Sequence, residues 1–547
     1  MNNSPSIGEY LIQRLLHHGV GHVFGIPGDY VLGFYELLNQ SDLALINTSD
    51  EQGAGFAADA YARLRGLGVI CVTYCVGGLK VANPVAGAFA ERSPVVVISG
   101  SPGVREQVKD PLLHHKVRTF DTQRKVFEQI TVASAVLDNP DTAYQEIDRV
   151  LHAAFRHKRP VYLELPRDCV HLRGPANYQP AGFKNVSNED ALREAVAEAA
   201  ALLNNAKHPV ILADIELHRF NLQRPAMEFI RKTNIPFAST ILGKSVLDEQ
   251  HPLYLGVYEG AMGRDDTRQI VEESDCLLLL GNIFTDINLG IFTAELNLDN
   301  VISATAERIT IRRHHYEEVT FEDFLLGLLN ADIRPFPFNP PVIHNHVTPF
   351  EPNCDAPVTI ARLFQQIDSF LADDTLVISD VGDALFGAAD LHIHKRTEFL
   401  GPAYYASMGF SVPAAIGAQL ANPKRRPLVI VGDGAFQMTG IELSTALRYH
   451  LNPIVVLLNN GGYGTERHMQ DGPYNDLHPW RYSKLPELLG GGKAWEVHTE
   501  GELAQALTEA RENTGTFSLV EVHLAPLDRS PALDRLAKRI QKRLAGQ

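Results

Sequence analysis

Positive charge is in deficit. The chain carries 49 Lys and Arg against 65 Asp and Glu, a formal net charge of −16, and no basic block interrupts that balance. Nucleic-acid binding needs a concentrated positive surface, so the composition argues against that partner and for a solvated acidic exterior. Cysteine is sparse: Cys71, Cys75, Cys169, Cys276 and Cys354 are odd in number, scattered and free of any CxxC pair. A disulfide framework is thereby disfavoured, and reduced thiols in a cytoplasmic protein are expected. No run approaches 18 uninterrupted apolar residues, and the opening MNNSPSIGEYLIQRLLHHGV lacks a basic stretch followed by an apolar one. Neither membrane spanning nor export is expected. Short-period repeats and low-complexity tracts are missing too. The apolar run Leu277–Gly281 leads into no GxGxxG, so its turn reads as structural.

What is present is a soluble globular composition, 45% hydrophobic and 21% charged over 547 residues. At about 150 residues per domain that length gives three or four domains. Strand-like runs alternate with helical spacing throughout. Residues 1–185 run from a helix at 7–18 through strands near 22–25, 43–47, 69–74 and 95–99 to a closing strand at Val161–Pro166. A polar linker, 173–190, precedes a middle segment, 190–340, of the same alternating kind. A proline-rich stretch, 334–357, reads as a stiff linker into the last segment, 355–547. The expected class is α/β, with three doubly wound domains.

The most informative stretch is Leu428–Glu466. Leu428–Val431 is a β-branched run ending in Gly432-Asp433-Gly434, and Ile454–Leu458 is a second one ending in Asn459-Asn460. The spacing between them predicts a crossover helix over 438–450, which parallel strands require. Two strand ends then open on one crevice, where such sheets bind ligands. Asp433 offers a carboxylate, Asn460 a side-chain carbonyl, and the flanking glycines let backbone approach, a donor set suited to Mg²⁺ on a phosphate. The N–H groups of Gly434 and the helix start can face the phosphate itself.

Gly432-Asp433-Gly434 followed by Asn459-Asn460 resembles the cofactor motif of thiamine diphosphate enzymes. The likeness covers most of the chain and is greatest to 2-oxo acid decarboxylases of the pyruvate, indolepyruvate and phenylpyruvate type. It implies a pyrimidine-binding first domain, a middle domain and a diphosphate-binding last domain. Thiamine diphosphate would be held by Gly432, Asp433, Gly434, Ala435, Asn460 and Gly462, with Mg²⁺ on Asp433, Asn460 and the Gly462 carbonyl. Other positions read one way alone and another way through the resemblance. Glu51, in Asp50-Glu51-Gln52 before Ala57-Ala58-Asp59-Ala60-Tyr61-Ala62-Arg63, is by itself an acid favoured at a helix N-terminus. The family uses a Glu here to activate the cofactor's aminopyrimidine. Asp29 alone is a helix cap, and His114-His115 are two loop histidines; the family has one Asp and a His pair beside the reacting carbon. Glu466 alone is a solvated loop acid, where decarboxylases place a Glu by the substrate carboxylate. Met408 alone is a core residue, where the family sets an apolar wedge under the cofactor.

The activity implied is conversion of a 2-oxo acid to aldehyde and CO₂ through a cofactor ylid and enamine, with Glu51, Asp29, His114, His115 and Glu466 managing protons. Glu51 and Asp433 lie in different segments, and in this family the site forms between subunits, so a homodimer at minimum and a homotetramer are expected. Leu385 and Thr465 stand where pyruvate-specific members carry larger side chains, and Val381 and Met469 complete the expected substrate pocket, which favours aromatic or longer aliphatic acids. Lys80 and Cys75 depart from the family's glycine- and serine-rich loop; Lys80 is either a surface residue or an attractor of anionic substrate. The rival readings are an acetohydroxyacid synthase-like carboligase, a benzoylformate decarboxylase and a non-catalytic cofactor-binding protein. The helical spacing at 532–544 suggests a terminal helix docked on its own domain.

Overall fold

The computed structural model describes residues 4–180, 182, 185–338, 349–394 and 399–544. Three sheets organise it. The first is built from β1 (His22–Gly25), β2 (Ala44–Asn47), β3 (Gly68–Val72), β4 (Val95–Ser101), β5 (Ser134–Val136) and β6 (Val161–Pro166). Its order is β2-β1-β3-β4-β6-β5, every pair parallel. Strands β3, β4 and β6 are buried along their whole length because helices cover both faces, and their sequences are accordingly apolar runs without alternation.

The middle sheet contains β7 (Pro209–Ala213), β8 (Phe237–Ser239), β9 (Tyr254–Val257), β10 (Cys276–Leu280), β11 (Val301–Ala304), β12 (Ile309–Ile311) and β13 (His314–Tyr316). Five strands are parallel, and β11, β12 and β13 form an antiparallel edge that the sequence reading did not include. Gly281 closes β10 at φ +73°, a turn that glycine makes without strain.

The third sheet holds β14 (Thr375–Ser379), β15 (Phe399–Leu400), β16 (Arg426–Gly432), β17 (Ile454–Asn459), β18 (Lys493–Val497) and β19 (Ser518–His523), in the order β15-β14-β16-β17-β19-β18. That is the strand order of the first sheet repeated, so the first and last segments are two copies of one topology. In each copy the order reverses between the first and third strands, the switch point where a doubly wound sheet opens a crevice.

These two copies are packed together. Helix Glu51–Arg65 crosses helix Ser411–Ala421 so closely that a Cβ on Gly417 would stand 1.9 Å from the Ala57 carbonyl oxygen. Small residues on both helices allow it: Ala57 and Ala60 on one, Ala414, Gly417 and Ala418 on the other, all buried. At the end of the first helix, buried Arg63 donates to Asp59 (3.0 and 2.7 Å), Glu91 (2.8 Å) and the Gly401 carbonyl (3.1 Å). Glu91 in turn accepts the Tyr404 and Tyr405 amides, both at 2.9 Å. The Asp59–Arg63 pair is therefore an inter-domain tie.

The crossover between β16 and β17 is not one helix. It runs as helix Asp433–Thr439, a 3-10 turn Gly440–Glu442 and helix Leu443–Arg448. Phe436 fills the space beside Gly440, where a Cβ would meet its ring at 2.5 Å, and the break turns Glu442 toward the first domain. The terminal helix, Pro531–Leu544, docks more widely than on its own domain. Arg535 donates to the Met262 carbonyl (2.7 Å) and pairs with Asp390 (2.8 Å), spanning the middle and last domains. Residues 339–348 of the proline-rich linker, and the side chains of Ile540 and Leu544, lie outside the described residues.

Candidate cofactor and active site

The two crevices collect the candidate residues by topology alone. At the carboxyl end of the first sheet, Asp29 follows β1, Glu51 follows β2, the 75–80 loop follows β3, and His114-His115 follow β4. Gly28 lets the Asp29 turn lie against Thr73, where a Cβ would stand 2.4 Å from the threonine Cβ. At the carboxyl end of the third sheet, Val381 follows β14, Asp433 follows β16 and Asn460 follows β17.

In the first crevice Asp29, His114 and His115 come together. His114 Nε2 lies 2.7 Å from Asp29 Oδ2, and His115 Nε2 lies 4.0 Å from the other carboxylate oxygen. The His114 ring stacks on Tyr30, centroids 4.7 Å apart, with the tyrosine hydroxyl 3.4 Å from Nδ1. His115 sits at φ +66°, a left-handed conformation uncommon for a non-glycine residue and concentrated at functional sites. Arg167 approaches Asp29 at 3.7 Å and stacks over Tyr30.

Glu51 opens its helix behind Asp50, whose side chain caps the Gln52 amide at 2.8 Å. Lys80, exposed at the lip of this crevice, pairs its ammonium with Asp50 and, at 2.8 Å, with Glu51 Oε2. Gly77 leaves room for the other Glu51 oxygen, which would lie 3.2 Å from a Cβ there.

Glu442, which the sequence reading passed over, fixes this turn from the third domain. Its buried carboxylate accepts the Ser49 amide (3.1 Å to each oxygen), the Asp50 amide (3.0 Å) and the Thr445 hydroxyl (2.7 Å). Burial pushes its pKa up, and those hydrogen bonds oppose the shift. Its isolated position in the sequence gives no signal, because the partners lie 393 and 392 residues away.

The second crevice is an open cleft of about 290 Å³. Asp433 is 1% exposed; its oxygens accept the amides of Gly434 (2.8 Å), Gly461 (2.8 Å) and Gly462 (3.1 Å). Burial raises its pKa to about 6 against those three donors. Asn460 Oδ1 is 3.3 Å from the Gly462 amide, and Gly462 is pressed so tightly on Asn475 that a Cβ would stand 2.1 Å from the Asn475 carbonyl oxygen. Gly432, Gly434, Ala435, Met408, Val381, Thr465 and Glu466 share the lining with Asp433 and Asn460. Met408 is fixed indirectly. Asp380, buried at the end of β14, accepts the amides of Gly409 (3.1 Å) and Ser411 (2.9 Å) on either side of Phe410.

Two expected pocket residues are elsewhere. Leu385 is 1% exposed, packed in the domain core with its Cδ1 3.0 Å from a Cβ on Gly401. The helix Asp383–Ala388 turns its neighbours Ala384 and Phe386 to the cleft instead. Met469 ends helix Gly464–Met469 and is 72% exposed, outside the lining of this cleft.

A buried carboxylate and an amide oxygen on adjacent strand ends, with amide N–H groups around them, suit a divalent cation carrying a diphosphate. Comparison with known proteins agrees. Family models described as the N-terminal TPP binding domain, the central domain and the C-terminal TPP binding domain of thiamine pyrophosphate enzymes match residues 5–130, 196–323 and 380–522. The chain is 38% identical to "Indole-3-pyruvate decarboxylase" of Azospirillum brasilense over 547 residues, 98% of each chain. It is 34% identical to "Alpha-keto-acid decarboxylase" of Mycolicibacterium paratuberculosis and to the protein of that name from Mycobacterium avium, over 96% of this chain and 94% of theirs. The protein belongs to the thiamine pyrophosphate enzyme family. Its cofactor is thiamine diphosphate with Mg²⁺.

Proposed function

We propose that the chain decarboxylates 2-oxo acids to aldehydes, with aromatic or longer aliphatic acids preferred. The observation that carries the reading is the Asp29–His114–His115 cluster, set on the same sheet edge as Glu51. Thiamine diphosphate supplies, when bound, the nucleophilic carbon and electron sink that loss of CO₂ requires. The protein's part is holding charge and moving protons. Asp433, Asn460 and the Gly462 carbonyl hold Mg²⁺, Gly432, Gly434 and Ala435 border the diphosphate, and Met408 supports the rings. Glu51 presents a carboxylate to the aminopyrimidine. Asp29 orients His114 through Nε2, and Asp29, His114, His115 and Glu466 act as one coupled set that returns a proton to the product.

The cleft around Asp433 is lined wholly by residues from 360 to 528, whereas Glu51 and the His pair stand on the first sheet. A second copy of the chain supplies the missing half, so the working unit is a homodimer, with a homotetramer as the larger assembly. Thr465 and Val381 leave space beside Glu466 for a large side chain. Among the described residues no helix is long and apolar enough to cross a membrane, and the five cysteines are free thiols, which suits the cytoplasm.

The test is CO₂ and aldehyde release with thiamine diphosphate and Mg²⁺, across indolepyruvate, phenylpyruvate, branched and linear 2-oxo acids, and pyruvate. Large acids should win, and Glu51→Gln should keep cofactor binding while turnover falls on the order of 100-fold or more. Acetolactate in place of aldehyde moves the chain to the carboligases. Equal turnover in Glu51→Gln and wild type removes the ring-activating role.

A further inference from the structure

The last two strands of the third sheet carry the same tripeptide. Glu496-Val497 ends β18 with His498 immediately after it, and Glu521-Val522-His523 ends β19. The strands pair in parallel with Glu496 opposite Glu521 and Val497 opposite Val522. Period-two alternation sends both valines to the core, at 1% and 0% exposure, and all four polar side chains to the other face. Parallel strands lie about 4.8 Å apart, so His498 falls beside His523. Their rings stack with centroids 4.1 Å apart and planes within 11°, so their lone pairs run side by side, and a shared ion requires the exposed His498 ring to turn its Nε2 inward.

The donor atoms converge on one carboxylate oxygen. His523 Nε2 is 3.2 Å and His498 Nε2 is 3.5 Å from Glu496 Oε1. Metal–ligand bonds of 2.0–2.2 Å in a tetrahedron put neighbouring ligands about 3.3–3.5 Å apart, and all three donor atoms lie within 4.8 Å of one another. His523 Nε2 is shielded from solvent yet has no hydrogen-bond partner among the described residues, although the carboxylate is close. That contact has the spacing of two ligands rather than the alignment of donor and acceptor. Beneath them Glu521, 2% exposed, holds an oxygen 3.5 Å from the same nitrogen. Two carboxylates face two imidazoles, with the charge left for a dication to neutralise.

We infer that Glu496, His498 and His523 form a second metal site, for a borderline divalent cation such as Zn²⁺, separate from the Mg²⁺ at Asp433. Two imidazoles and one carboxylate with an open fourth position are a set that Zn²⁺ accepts, whereas Mg²⁺ takes oxygen ligands. Glu521 is the supporting carboxylate behind it. It also accepts from Asn459 Nδ2 (2.8 Å) and the Ser483 amide (2.8 Å), which links the site to the residue preceding Asn460. The inference does not depend on the reaction proposed above.

Full-length protein is stripped with a chelator, loaded with thiamine diphosphate and saturating Mg²⁺, and titrated with Co²⁺ as a visible stand-in for Zn²⁺. His498→Ala and Glu496→Gln are titrated alongside; both native side chains are more than half exposed, at 57% and 52%, so the variants should fold. Wild type should bind one more Co²⁺ per chain than His498→Ala, with a ligand-field band that Zn²⁺ abolishes. Each variant should lose affinity by about 100-fold or more, since loss of even a supporting residue costs 10–100-fold. The wild-type unfolding midpoint should rise with Zn²⁺, and that of His498→Ala should not. Equal stoichiometry and spectra in wild type and both variants, or no band in wild type, overturns the site. The Asp29–His114–His115 group also binds cations in principle, and the wild-type-minus-variant difference cancels its contribution.

Discussion

Replacing Glu442 with alanine tests how the first domain's reactive turn is held. Two backbone amides, of Ser49 and Asp50, lose their acceptor, and so does the Thr445 hydroxyl. The hydroxyl can rotate to another partner; the amides cannot. A buried unsatisfied amide costs about 1–3 kcal/mol; Ser49 is exposed and Asp50 half-buried, so water replaces part of the lost acceptor, and release of a carboxylate from a buried site returns more. The expected net loss is about 1–3 kcal/mol. Were half of it to fall on the turn before Glu51, turnover would drop by up to about tenfold, since 1.4 kcal/mol is a factor of ten. The assay pairs thermal unfolding with steady-state decarboxylation at saturating cofactor, and adds amide hydrogen exchange at Ser49 and Asp50. Glu442→Gln keeps one acceptor oxygen and should fall between the two. An alanine variant with wild-type midpoint, turnover and amide protection would show that the turn is held by something else.

Three further outcomes follow from buried groups. Asp433 holds its proton to about pH 6, so Mg²⁺ must displace that proton in acid, and Mg²⁺-dependent cofactor binding, followed by quenching of protein fluorescence, should weaken about tenfold per pH unit below that point. A pH-independent affinity between pH 5 and 7 would contradict it. Glu259 is 1% exposed, neither oxygen has a hydrogen-bond partner among the described residues, and burial lifts its pKa from 4.5 to about 8. A carboxyl that gains a proton on folding contributes most below its unfolded pKa, and that contribution is lost as pH climbs toward the folded one. Glu259→Gln should therefore stabilise at pH 8 by on the order of 3 kcal/mol, with little gain at pH 4.5, read as the difference in unfolding midpoint. Gly417→Val forces a side chain into the Ala57 carbonyl and should cost about 3 kcal/mol or prevent soluble expression; wild-type stability would mean that the two helices separate easily.

Much of this was legible because it is local. Apolar runs ending in Gly432-Asp433-Gly434 or Asn459-Asn460 carry their strand-end position in their own sequence, and the family matches agree with the cofactor read from them. Asp29 and the His pair were legible as family positions, and the fold brings Asp29 to 2.7 Å from His114 and 4.0 Å from His115. What failed was angular or distant. On the short helix after Val381 a step of one residue moves a side chain from cleft to core, so Phe386 lines the cleft and Leu385 is buried. The predicted crossover helix over 438–450 ignored Gly440, whose missing Cβ accommodates Phe436 and breaks the helix. Glu442 had no periodic or motif signal, since its meaning lies in amides of another domain. The doubled Glu-Val-His was visible as identical letters, but only strand pairing sets the copies side by side.

The close crossing at Gly417 also sets a clock. Ala57 and Gly417 are about 360 residues apart along the chain. At a synthesis rate of about 5–20 residues per second, the first domain emerges roughly 20–70 s before the helix that covers Ala57 and Ala60 exists. During that interval its alanine-faced helix is uncovered, and in a polysome the covering helix nearest at hand can belong to a neighbouring nascent chain. Yield in a heterologous host should therefore respond to chaperone supply and translation speed more than to changes in the finished protein's stability.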